Sequence, residues 1–97
     1  MNGVVYVRSQ YVAEWTKRRA DGRCELCRKP APFKNTSSNE PYLESHHIVW
    51  LSRGGLDCTS NTVALCPNCH RKMHVVNAEK DIKKLTRLAS AGAPRQS

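Results

Sequence analysis

The sequence predicts a small α+β domain in which two short strands, joined by a long loop, run into a helix, with further helices at both ends and a four-cysteine metal site holding the parts together. Three observations point there. Cys24-Glu25-Leu26-Cys27 and Cys66-Pro67-Asn68-Cys69 repeat the spacing Cys-x-x-Cys. Two segments rich in β-branched residues flank a glycine-containing loop, and apolar residues recur at helical spacing near both ends. With 97 residues, 39% hydrophobic and 6% aromatic, the chain has room for one thin core. Domains this small bury a modest share of their surface, so a metal is a natural stabiliser. We expect one domain over 1–91, with its motif core at 24–76 and a disordered tail at 92–97, which has nothing to bury.

The elements follow in order. Over 9–20, Tyr11, Val12, Trp15 and Arg19 recur at helical spacing, Ser9 can cap the start and Asp21-Gly22 supplies a stop. Pro30 and Pro32 enforce a loop after Cys27, and the polar stretch 35–41 extends it as an exposed, variable segment. Segment 42–50, Tyr-Leu-Glu-Ser-His-His-Ile-Val-Trp, reads as a strand, and 62–65 as a second, shorter one. The loop 52–61 between them is too long for a two-residue hairpin turn but can return the chain antiparallel. Pro67 suits the first position of a helix reaching about Ala78. A last helix over 81–88 presents Ile82, Leu85 and Leu88 on one face and Lys83, Lys84 and Arg87 on the other.

Charge narrows the partner. Sixteen Lys and Arg against eight Asp and Glu leave a net charge of +8, which favours a polyanion. No apolar run approaches the roughly 20 residues of a membrane span, so nucleic acid ranks ahead of a membrane; the bland alternative is that the charge only keeps the chain soluble. Basic side chains from Arg8 to Arg87, Arg19, Arg53, Arg71 and Lys72 among them, form the candidate phosphate-contacting set. The apolar run 3–7 is too short for a secretory h-region, so we expect the chain inside the cell, in the cytoplasm.

In that reducing compartment, paired cysteines hold metal more often than they form disulfides, and the odd total of five argues the same way. Cys24, Cys27, Cys66 and Cys69 supply four soft ligands for a tetrahedral structural zinc ion. The competing reading, a redox Cys-x-x-Cys, comes singly at the start of a helix, whereas two matched pairs stand here. Cys58 has no partner by spacing. His46, His47, His70 and His74 surround the strand-loop-strand-helix unit. His70 and His74, four apart on a helix, share a face and can converge on one ion or phosphate, or simply stand exposed. His46 and His47 are adjacent in a strand and point to opposite faces, so both serve one site only where the strand is distorted or the site lies at its rim. Trp15 and Trp50 read as packed residues.

Leu43-Glu44-Ser45-His46-His47-Ile48, Gly54-Gly55-Leu56-Asp57 and the run from Asn61 through Cys66-Pro67-Asn68-Cys69-His70 to His74 closely resemble the HNH endonuclease family, in its subgroup with a four-cysteine zinc site. The resemblance covers about 24–74, leaving the N-terminal helix and the tail outside it. It implies the ββα-metal (His-Me finger) fold and metal-dependent hydrolysis of DNA to 5′-phosphate and 3′-hydroxyl ends. By position, His47 resembles the general base, and neutral imidazole near pH 7 suits that task. His46 and His70 resemble the ligands of a catalytic Mg²⁺ or Mn²⁺, with His74 a third ligand or a phosphate contact; such a site also accepts Ni²⁺ or Co²⁺. Asn61 resembles the motif's middle residue, which anchors the loop and orients the base. Glu44 shares a strand face with His46 and can fix that ligand's tautomer or stand solvated, while Gly54, Gly55 and Asp57 serve the turn and brace the loop. The alternative function is a zinc-stabilised, non-catalytic nucleic-acid-binding module, and RNA cleavage would use the same chemistry. Sequence reading of the target falls to a fused or separate recognition domain, and double-strand cleavage calls for a dimer or two visits.

Overall fold

A computed structural model describes residues 9–91. Residues 1–8 and 92–97, and with them the expected tail and Arg8, lie outside the described residues. The elements run α1 (Gln10–Ala20), β1 (Glu44–His47), β2 (Thr62–Leu65), α2 (Pro67–Val75) and α3 (Glu79–Ala91), with two 3-10 turns, Leu51–Arg53 and Thr59–Asn61, inside the loop between the strands. Among the described residues no helix is long and apolar enough to cross a membrane.

α1 begins where the Ser9 hydroxyl accepts the amides of Tyr11 and Val12, and ends where Asp21 turns left-handed at φ 54°. Lys17, Arg18 and Arg19 occupy its last turn, where the helix dipole favours cations. Its inner face is built on Thr16 and Ala20, not on Tyr11, which is 75% exposed. Arg19 belongs to that inner face as well. It forks onto Glu25 at 2.8 and 2.7 Å and donates to the Thr62 carbonyl at 2.8 Å, while Glu25 also accepts the Ala64 amide at 3.0 Å. Arg19 is therefore a bolt between α1, the first cysteine turn and β2, and it leaves the expected phosphate-contacting set. Lys72 is likewise paired, with Asp81 at 3.3 Å.

β1 and β2 pair antiparallel in the register Glu44↔Leu65, Ser45↔Ala64, His46↔Val63 and His47↔Thr62. The first strand is four residues long instead of the nine expected over 42–50. The Asn61 side chain takes over the backbone of Val49, accepting its amide at 2.9 Å and donating to its carbonyl at 3.0 Å, which bends the chain out of the ladder. The loop then closes tightly. A Cβ at Gly55 would stand 1.8 Å from the Val49 carbonyl oxygen, so only glycine fits there.

Pro67 opens α2, as expected, but the helix stops at Val75 because Val76 and the left-handed Asn77 both return their amides to the Lys72 carbonyl. α3 starts two residues ahead of the expected 81, with the Ala78 carbonyl receiving Asp81 and Ile82. It lies on the Thr59–Asn61 turn and β2. The core joins Leu26, Leu43, Ile48, Val63, Leu65, Met73 and Leu85 with the buried Cys24 and Cys69.

Candidate functional site

Among the described residues, two clusters of metal-ligating side chains draw on α2. In the first, the sulfurs of Cys24, Cys27, Cys66 and Cys69 lie within 4.8 Å of one another. The first pair sits on a tight turn closed by Cys24 N–H to Lys29 O and Arg28 N–H to Cys24 O, both 2.9 Å; the second starts α2, where Cys66 Sγ accepts the Cys69 amide at 3.5 Å. Burial works against a thiolate at Cys24, but the surrounding amides of Cys27, Cys66 and Leu26 outweigh it and bring that thiol down to about 7. Burial raises Cys66 and Cys69, whose neighbours are themselves thiols. Four converging sulfurs, one of them with its thiol already lowered, are a donor set that a divalent cation completes. The two pairs converge, as a metal site requires and a lone redox pair does not. Cys58 lies apart, beside the Ser60 hydroxyl at 3.3 Å.

The second cluster brings His46 from β1 together with His70 and His74 from successive turns of α2, their ligand nitrogens within 4.8 Å. His70 Nε2 and His74 Nε2 are 3.2 Å apart, a separation that suits two ligands of one ion at bond lengths of about 2.1 Å. His46 is 2% exposed and its Nε2 has no hydrogen-bond partner among the described residues. Burial, then the neighbouring His70 and His74, push its pKa down to about 4, so it stands neutral with a lone pair to offer. An orphaned, neutral imidazole beside two others is a fit for a divalent ion.

Glu44 is the support of this cluster, through a different histidine from the one its strand face suggested. Its Oε1 meets His70 Nδ1 at 2.7 Å, and the Tyr42 hydroxyl donates to Oε2 at 2.8 Å. These two bonds, the one to His70 first, hold the Glu44 carboxyl below its ordinary range. A carboxylate on Nδ1 makes that nitrogen the N–H and turns Nε2, as lone pair, toward His46 and His74.

His47 follows His46 and points to the other face of the strand, where its Nε2 meets Asp57 Oδ1 at 2.7 Å. Because the strand ends at His47, the residue still borders the cleft of about 330 Å³ that His46, Trp50, His70 and His74 line. The rim position thus answers the problem of two adjacent histidines. Trp50 is half-buried in this cleft rather than in the core, with the His74 ring tilted against it at 5.1 Å and the Arg53 guanidinium over its ring at 4.7 Å. Asn61 spends its side chain on the loop backbone, at Val49 and at the Leu56 carbonyl, 2.9 Å away. Sequence reasoning passed over Asp57 as a loop brace. Its only signal was an acidic side chain ten residues beyond His47, in a loop that returns to the same strand.

Comparisons with known proteins show the family. The family model for HNH endonuclease matches residues 24–75, more than half of the chain. The Type IV methyl-directed restriction enzyme EcoKMcrA of Escherichia coli (strain K12) is 50% identical over 78 residues, covering 80% of this chain and 28% of that protein. Among solved structures, the Type IV phosphorothioation-dependent restriction endonuclease ScoMcrA superposes with a TM-score of 0.75 at 30% identity, over 90% of this chain and 17% of that one. The modification dependent TagI restriction endonuclease does so with a TM-score of 0.60 at 32% identity, over 72% and 24%. The chain therefore spans about a quarter or less of the length of each of these larger relatives. By sequence and by fold, this chain belongs to the HNH endonuclease family.

Proposed function

We infer that this chain is the cleavage module of a metal-dependent DNA endonuclease, hydrolysing phosphodiester bonds to leave 5′-phosphate and 3′-hydroxyl ends. The observation that carries the reading is the convergence, on one cleft, of three metal-competent imidazoles with His47 at the rim. His46, His70 and His74 would hold the catalytic ion, Mg²⁺ or Mn²⁺, and the four cysteines a structural Zn²⁺. A divalent ion at the histidines supplies positive charge for the scissile phosphate and for the departing oxygen. The chain's own residues do the rest. His47 takes the proton of the attacking water, Glu44 keeps His70 oriented, and Asn61 fixes the loop that closes over the strand end. Arg53, over the face of Trp50, would meet a phosphate.

The relatives are named as restriction enzymes directed at methylated, phosphorothioated or otherwise modified DNA. Since this chain spans only a minor part of each, recognition of a modified target would fall to a separate domain, and cutting both strands to a second copy. The test is nicking of supercoiled plasmid at low salt by wild type and His47→Ala, with Mg²⁺, Mn²⁺, Ni²⁺ or no metal in parallel. Metal-dependent nicking that falls by about 10²- to 10⁴-fold in His47→Ala, with zinc content unchanged, is the expected result. DNA binding without nicking under any metal would favour the binding module instead.

A further inference from the structure

We propose that Asp57 is the positioning residue for His47: held by the Ser9 amide at the start of α1, its carboxylate fixes the imidazole with its proton on Nε2 and leaves Nδ1 as the atom that accepts the proton of water. The proposal rests on the reading of His47 as the base. A neutral imidazole carries one N–H, and the hydrogen bond made by one nitrogen decides the role of the other. An ionised carboxylate has no proton to give, so across the 2.7 Å contact Nε2 must be the donor. The pair is well shielded, with side chains 9% and 14% exposed, so water competes weakly for it.

Asp57 is itself oriented. Its two oxygens are divided, Oδ1 toward His47 and Oδ2 toward the Ser9 backbone N–H. Asn61 adds to this by gripping the Leu56 carbonyl, one residue before Asp57, and both backbone groups of Val49, two residues after His47. Acceptor and donor are thus brought together by a helix start and a pinned loop. Ser9 and α1 lie ahead of the family match at 24–75, so the helix that precedes the nuclease core has a task in its chemistry.

The division of oxygens makes Asp57→Asn a sharp test. The Ser9 N–H requires an acceptor, so the amide oxygen of the variant takes the Oδ2 position and its NH₂ faces His47. That NH₂ can only donate, which forces Nε2 to accept and moves the imidazole proton to Nδ1. Imidazole ¹⁵N NMR of the zinc-loaded chain near pH of about 8.5, where ordinary imidazoles are neutral, with His47 assigned by its loss in His47→Ala, reads the tautomer directly. The expected results are Nε2–H in wild type and Nδ1–H in Asp57→Asn. Plasmid nicking by Asp57→Asn should fall by about 100-fold through kcat, with KM for DNA and zinc content unchanged, and Asp57→Glu should keep the Nε2–H tautomer. Wild-type His47 protonated on Nδ1 would overturn the proposal whatever the variant does. So would Asp57→Asn with the wild-type tautomer and rate, while His47→Ala remained inactive. Undiminished nicking by His47→Ala would instead remove the base reading beneath it.

Discussion

The four-cysteine cluster and the three-histidine cluster each gather metal-ligating atoms within 4.8 Å, and they stand at opposite ends of the physics of such sites. The cysteines are part of the core: Cys24 and Cys69 are buried among Leu26, Leu65 and Met73, and backbone amides are their polar company. The histidines open onto a cleft, and a carboxylate backs His70 from behind, with a tyrosine behind the carboxylate. A closed set of four soft donors leaves no coordination position for a substrate, whereas three nitrogens at the edge of a cleft do. The difference separates two tasks that a 97-residue chain must perform with one small core. In the proposed reading one metal would tie the first cysteine turn to the start of α2, and the other would meet the phosphate.

Substitutions on either side should therefore break different things. The largest effect is expected from Cys66→Ser, which removes one thiolate of the closed site. Structural zinc contributes on the order of 10 kcal/mol in small domains, comparable to the whole stability of a native fold, so the variant should lose zinc and its cooperative thermal transition together, read by metal analysis and circular dichroism. A folded, zinc-free variant would erase the contrast. Glu44→Gln should act on the other side only. Losing the carboxylate behind His70 should weaken Mn²⁺ binding, measured by calorimetry on the zinc-loaded chain, by about 10- to 100-fold with little change in thermal stability. Tyr42→Phe sharpens the same point at smaller scale. It removes one hydrogen bond to Glu44, a loss of about 0.5–1.5 kcal/mol, and should weaken Mn²⁺ by a few-fold.

Much of this division was legible in the residues, and what was not has a common cause. Short-range signals survive folding: Ser9 caps α1, Pro67 starts α2, and Cys-x-x-Cys places two sulfurs on one turn whatever surrounds it. Residues whose partners come from far along the chain could not be placed. Glu44 was assigned by strand alternation to His46, but its carboxylate reaches across to a helix 26 residues on. Asp57 was a loop residue until the loop folded back onto His47. Arg19 counted as a surface cation because nothing local announces that Glu25 and two carbonyls wait for it in the interior. The strand ended early for the same reason, since Asn61, twelve residues away, competes for the backbone of Val49. Local pattern fixes the elements, and long-range polar pairing sets which side chains meet.

That two metals do two jobs is tested most directly by separating them in one sample. The zinc-loaded chain, washed with citrate to clear weakly held ions, is assayed at once for metal content, circular dichroism and plasmid nicking, before and after addition of Mg²⁺ or Mn²⁺. One zinc per chain, a native spectrum and no nicking until the second ion is returned is the predicted result. Full nicking by the washed protein with its single zinc, or activity and spectrum lost together, would contradict it.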